Sequence, residues 1–174
     1  MQLLEPLYDR LERFALTMTR DREAARELVC ETVAAAYERF AHIHDEQAFL
    51  SYLFTIASRC FHRNRLRKQR YQPMESDVID ELYAGGTTPE QSMAVSELYD
   101  ALDKLPAIDR EVIVMAEIIG LTHKEISVAL DISIANIKVK VFRSKRKLSV
   151  LLDANGGEEP TTDNHQKPLA ALLI

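Results

Sequence analysis

The chain has 174 residues, 47 % of them hydrophobic, enough to build one domain or two small ones with real cores, which excludes a disordered polymer. Its formal charge of −5 argues against a polyanionic partner only as a sum, because twelve of the 22 lysines and arginines lie in two stretches without Asp or Glu, Ile56–Arg70 and Lys138–Lys147. Two distant cysteines, Cys30 and Cys60, exclude a disulfide scaffold and are expected as small core fillers; the charged N-terminus and the lack of any run near about 20 apolar residues exclude a signal peptide and membrane insertion, so a cytoplasmic location is expected.

In chain order, Leu4, Leu7, Leu11, Phe14, Ala15 and Met18 recur at three- and four-residue steps and predict an amphipathic first helix. Asp21 can cap a second helix running to about Phe40, with Ala25, Leu28, Val29, Ala36 and Phe40 inward and Glu23, Glu27, Glu31 and Glu38 largely outward. After a polar break at His42–Gln47, a third helix carries a stripe of Phe49, Leu53, Ile56, Ala57 and Cys60, while Arg59, Arg63 and Arg67 run down another face. From Tyr71 to about Thr88 periodicity fades, acids accumulate, and Pro73, Gly85 and Gly86 interrupt any helix, which predicts an acidic linker. Thr88-Pro89-Glu90-Gln91 fits a helix start, and further helices are expected over about 89–104, 107–119, 123–130 and 134–151, the second of these closed by Gly120. No segment alternates like a strand, so the predicted fold is all-α, two small helical domains joined by a flexible linker.

The last two predicted helices form a helix-turn-helix: Thr122-His123-Lys124-Glu125 is a capping box, Leu130-Asp131-Ile132 the turn, and Ser133 the cap of the long helix. On that helix Ile134, Ile137, Val141 and Leu148 form the stripe expected to be buried. Val139, Arg143 and Arg146 point away from it, with Lys138 and Phe142 beside them, a cationic face around an aromatic suited to a major groove. Lys138, Lys140, Arg143, Lys145, Arg146 and Lys147 have no acid among them to form intrahelical pairs, so they are expected to repel one another until a polyanion arrives.

With both halves laid out, the chain resembles the extracytoplasmic-function (ECF) group of the sigma-70 family, the promoter-recognition subunits of bacterial RNA polymerase. DREAARELVCETVAAAYERF followed by FLSYLFTIASR is similar to region 2 of that family, and LPAIDREVIVMAEIIGLTHKEISVALDISIANIKVKVFRSKRKL to its region 4. The resemblance implies region 2 over 1–70, a linker over 71–92, region 4 over 93–152 and a C-terminal tail over 153–174. It further implies binding of core polymerase, through the β′ clamp helices and the β flap, with Glu27, Leu28 and Glu31 as clamp contacts. Ile43, Tyr52, Arg59, Phe61, Arg63 and Arg67 would melt and read the −10 element, Tyr52 and Phe61 remaining open to a core role instead. Lys138, Val139, Phe142 and Arg143 would lie near −35 bases, and Lys140, Lys145 and Arg146 on the DNA backbone. Promoter DNA and an anti-sigma factor are the other implied partners. Tyr52 stands where the family often has Trp, Arg59 and Arg63 where it has Asn and Asp, Val139 where serine is commoner, and Asp131 where the turn usually has glycine.

Two rival readings compete. A stand-alone helix-turn-helix repressor with an N-terminal dimerisation or sensing domain explains the second half equally well but gives the basic Ile56–Arg70 no purpose. An enzyme with a metal on His42-Ile43-His44-Asp45-Glu46 lacks a third ligand at suitable spacing, a phosphate loop and a nucleophile motif. Neither catalytic residues, nor a metal, nor a cofactor are expected. The tail ending Pro168-Leu169-Ala170-Ala171-Leu172-Leu173-Ile174 is apolar and suggests docking within the chain, a partner's groove or recognition by a protease.

Overall fold

A computed structural model of the chain describes residues 5–38, 46–71 and 89–156. Among the described residues every regular element is helical: α1 (Glu5–Thr19), α2 (Arg22–Tyr37), α3 (Glu46–Tyr71), α4 (Pro89–Asp103), α5 (Ala107–Ile113) continuing as a π-helical turn (Val114–Ile118), α6 (His123–Leu130) and α7 (Ile134–Gly156).

The first three helices form because one stripe of each is apolar. Leu7, Leu11, Phe14, Ala15 and Met18 of α1 are buried against Ala25, Leu28, Val29 and Ala36 of α2 and Phe49, Leu53, Ala57 and Cys60 of α3. Phe14 and Phe54 meet edge to face with centroids 5.6 Å apart. Asp21, extended at φ −145°, caps α2 by accepting a 2.7 Å bond from the Ala24 amide. Leu4, Phe40, His42 to Asp45 and the segment 72–88 lie outside the described residues, as does the tail from 157.

Several expectations need correction. Cys30 is exposed, since it falls on the outer face of α2, whereas Cys60 is a core filler as expected. The predicted helix over 107–119 changes register at Val114: Ile119 N–H donates to the Val114 carbonyl, a five-residue π step, and Gly120 at φ +72° then ends the element. The last helix runs on to Gly156. Ile134 is 42 % exposed rather than buried. At 100° per residue it sits about 60° off Ile137, on the opposite side from Val141 and Leu148, and so on the rim of the stripe.

The two helical halves expected from the sequence are present, and they pack on each other. Helix α3 lies against α6, α1 against the π turn, and the buried residues of both halves join in one hydrophobic cluster. In this packing Arg59, Arg63, Arg65 and Arg67 of α3 and Lys138, Arg143 and Arg146 of α7 all remain exposed.

Candidate nucleic-acid interface

Helix α6 starts at Thr122, whose Oγ1 accepts from the Glu125 amide at 3.2 Å while the Thr122 amide donates to Glu125 Oε2 at 2.6 Å. This reciprocal pair satisfies two amides that a helix start leaves open, and Ile126 and Ala129 are buried behind it. The turn depends on Asp131, at φ 55° and ψ 44°, a left-handed conformation that Asp enters more readily than most residues; its N–H and that of Ile132 both reach the Ser127 carbonyl. Ser133 then receives the Asn136 amide at 3.4 Å, and α7 leaves in its new direction.

Ile137, Val141, Ser144 and Leu148 face inward along α7. Val139, Phe142, Arg143, Arg146 and Lys138 face solvent, with Phe142 69 % exposed, far more than an aromatic without a partner normally tolerates. The expectation of six mutually repelling cations is corrected here. Lys140 Nζ donates to Asp109 Oδ1 at 2.6 Å, Lys145 Nζ pairs with Glu117 Oε1 at 2.9 Å, and Lys147 Nζ donates to the Lys104 carbonyl at 2.8 Å. Lys140 and Lys145 lie beside the buried stripe at 100° per residue, so their ammonium groups fold back onto α5 and the π turn. No ion pair is found for Lys138, Arg143 or Arg146 among the described residues, and these surround Val139 and Phe142. Four carboxylates near this half, Asp103, Asp109, Glu111 and Glu117, are each engaged by a cationic side chain or a histidine.

On α3, Arg59 and Arg67 are exposed, and Arg63 reaches Glu31 Oε2 at 3.1 Å, where Asn64 also donates at 2.9 Å. Tyr52 and Phe61 are partly buried and pack against the core, leaving only part of each ring at the surface. Burial pushes the Cys60 thiol above its ordinary value, the main cause, with Arg63 opposing, so this sulfur is a packing group rather than a nucleophile. Ile43 lies outside the described residues, as do the residues of the His42–Asp45 cluster. Among the described residues there is no group of three His, Cys, Asp or Glu arranged to hold a metal, and no helix is long and apolar enough to cross a membrane.

On α2, Glu27 is exposed and Glu31 half-exposed, but Leu28 is only 1 % exposed and belongs to the core. Its expected role as a surface contact is corrected: Leu28 sits three residues from Ala25 and eight from Ala36 on the stripe that faces α1 and α3. Sequence reasoning missed His62, whose Nε2 lies 2.8 Å from Oε2 of the fully buried Glu111 on α5. An acid in the apolar run Glu111-Val112-Ile113-Val114-Met115 was the available signal, since a buried carboxylate requires a partner.

Residues 3–71 match the family model for sigma-70 region 2 and residues 96–148 that for sigma-70 region 4. The chain is 28% identical over 149 residues to the ECF RNA polymerase sigma factor SigM of Bacillus subtilis, covering 84% of this chain and 91% of that protein. It is 29% identical over 153 residues to the ECF sigma factor EcfG of Rhodopseudomonas palustris, covering 86% and 82%. The structure of the sigma factor RpoE from Bartonella quintana, solved in complex with the anti-sigma factor NepR, superposes with a TM-score of 0.72 at 23% identity, covering 88% of this chain and 96% of that one. With region 2 and region 4 matched in order, and relatives of this group aligned over most of its length, the chain belongs to the extracytoplasmic-function group of the sigma-70 family and acts as an RNA polymerase sigma factor in transcription initiation.

Proposed function

We propose that α7 reads the −35 element with the face formed by Lys138, Val139, Phe142, Arg143 and Arg146. The observation that carries this reading is the sorting of cations on one helix: those beside the protein are neutralised, and those around the exposed Phe142 are not. A guanidinium such as that of Arg143 can pair with both acceptors of a guanine, while Phe142 and Val139 offer apolar contact to a thymine methyl. Lys140 and Lys145 serve mainly to hold α7 on α5 and the π turn, which makes their backbone contacts secondary to those of Arg146 and Lys138.

In the same reading the exposed arginines of α3, with Tyr52, Phe61 and the preceding loop that includes Ile43, hold the −10 strand, cations following phosphates and the exposed ring edges meeting unpaired bases. Glu27 and Glu31 present the acidic face of α2 to the clamp helices of β′, and the second half meets the β flap. The organisation into region 2 over 1–70, a linker over 71–92, region 4 over 93–152 and a tail belongs to this proposal. An anti-sigma factor is a further partner, as in the solved complex of the Bartonella quintana relative. Recognition of this kind breaks no covalent bond, and a polymerase subunit works in the cytoplasm. The test is reconstitution: core polymerase with this chain should start transcripts downstream of a shared pair of elements that core alone ignores. A chain that bound DNA as a dimer and failed to bind core polymerase would be the helix-turn-helix repressor instead.

A further inference from the structure

One carboxylate lies between the two faces that the N-terminal half offers to different partners. Glu31 Oε2 on α2 accepts from Arg63 Nη2 at 3.1 Å and from Asn64 Nδ2 at 2.9 Å, both on α3. Arg59, Arg63 and Arg67 recur every four residues, about 6 Å apart along α3, and so share one face of that helix. Arg59 and Arg67 are exposed and have no ion pair among the described residues, so only the middle arginine of the row is turned toward α2. Its Nη2 also donates to Cys60 Sγ at 3.5 Å, one turn back toward the buried side. The sigma-70 family commonly has Asp where Arg63 stands, and an acid there would repel Glu31, so the contact belongs to this chain's departure from the pattern.

The clasp is loose enough to exchange. The Arg63 and Glu31 side chains are 64 % and 36 % exposed, and an ion pair this wet favours the paired state by at most about fivefold. Asn64 adds a bond from a partly buried position, but its Oδ1 is buried with no hydrogen-bond partner among the described residues, so the amide is only half satisfied. A cationic side chain brought against α2 by a bound protein competes for the same oxygen, in an interface drier than the free surface, where a charge pair is stronger. Arg63 then has no acid to hold it, and stands in a row of cations suited to the phosphates of a single strand.

We propose that Glu31 is shared between two partners: in the free chain it holds Arg63, and when a cation of core polymerase takes it, Arg63 is released to a phosphate of the −10 strand. This rests on the assignment of α2 to polymerase and of α3 to the −10 element. Each partner alone must break the Glu31–Arg63 pair, and the second to arrive finds it already broken. The two binding events therefore favour each other, by the same factor in either order. Arg63 is a DNA contact whose availability is set by Glu31, its positioning residue.

Titrations of core polymerase with the full chain test this, using wild type, Arg63→Ala, Glu31→Gln and the double variant. Both side chains lie at the surface, outside the core, so all four proteins should fold alike. Arg63→Ala should tighten core affinity by about two- to fivefold, because Glu31 is no longer held, and should do so only where Glu31 is present. In the assembled holoenzyme the same variant should weaken capture of a single strand carrying the −10 sequence and lower its salt slope by about 0.7, the loss of one phosphate contact. A merely structural Arg63 would not move the two affinities in opposite directions. Core affinity that is unchanged or weaker in Arg63→Ala overturns the exchange, and so does an equal gain in the Glu31→Gln background, which is through-space repulsion alone. An unchanged salt slope overturns the release to a phosphate. Glu31→Gln that binds core like wild type overturns the sharing if Glu27→Lys still weakens binding; if neither weakens it, the polymerase face of α2 falls, and the proposal with it.

Discussion

Replacing Arg143 by alanine separates base reading from everything else α7 does. Arg143 is exposed and has no ion pair among the described residues, so its loss should change the fold's stability by no more than about 0.5 kcal/mol. Bound to DNA it is expected to make a bidentate base contact, and losing that contact should cost about 1–3 kcal/mol, roughly fivefold to 160-fold. The loss should be concentrated at one −35 position: on a promoter altered there, Arg143→Ala and wild type should initiate about equally. Arg146→Ala, a phosphate contact in this scheme, should weaken all promoters alike and lower the slope of log affinity against log salt by about 1. Lys140→Ala should behave differently again. Its ion pair with Asp109 is about four-fifths removed from solvent on both sides, so the variant should melt a few degrees earlier and leave Asp109 as an unneutralised charge near the DNA, weakening binding without changing preference. The assay is initiation by reconstituted holoenzyme on promoters varied at each −35 position, run at several salt concentrations. Equal losses of selectivity in Arg143→Ala and Arg146→Ala would refute the assignment of the faces.

Thr122→Ala should cost about 1 kcal/mol of stability, seen in urea melts, because the Glu125 amide loses its acceptor and the Glu125 carboxylate one of its donors. Leu28→Ala should cost about 2–5 kcal/mol through the cavity it leaves, while Glu27→Lys should leave melting unchanged and weaken binding of core polymerase, measured by co-purification. The packing of α3 on α5 should depend on pH through His62, whose pKa is raised above its ordinary value chiefly by its hydrogen bond to Glu111, against desolvation and the nearby Arg65. A raised histidine pKa means that the stabilisation is complete below the unfolded value of about 6.5 and is lost as pH rises through the higher folded value. Thermal melts should therefore show the chain more stable near pH 6 than near pH 8.5, and His62→Gln should reduce that difference.

The sequence revealed what repeats along a helix and concealed what lies between helices. The stripes of α1, α2 and α3, the capping box of α6 and the left-handed turn at Asp131 are local, set by spacing and by the chemistry of residues a few positions apart, and the members that the structure describes are where that spacing put them. The register change at Val114 was not legible, because an apolar run such as Val112-Ile113-Val114-Met115 is buried on every side and satisfies α and π spacing alike. The partners of Lys140 and Lys145 were 31 and 28 residues away in sequence, so counting acids within the helix could not find them, although the angular position of both lysines beside the buried stripe pointed inward. The seam between the halves was hidden for the same reason. Arg10, Arg20, Arg110, His62 and Glu111 are scattered over a hundred positions, and only the buried acid in an apolar run marked one of them.

Net charge is a poor guide to this chain because its charges are sorted by depth. Asp100 and Asp103 of α4, Asp109 and Glu111 of α5 and Glu117 of the π turn are taken up by Arg20, Arg110, Lys140, His62 and Lys145. Among the described residues, Lys138, Arg143 and Arg146 on the outer face of α7 and Arg59 and Arg67 on α3 are exposed and without an ion pair, so these two faces concentrate the field a phosphate backbone would feel. Each face is small and neither needs to bind tightly alone. Held on one polymerase they would supply effective concentration to each other. The same internal ion pairs that clear acids from the DNA-facing side also supply Arg20, Arg110 and His62 to the seam.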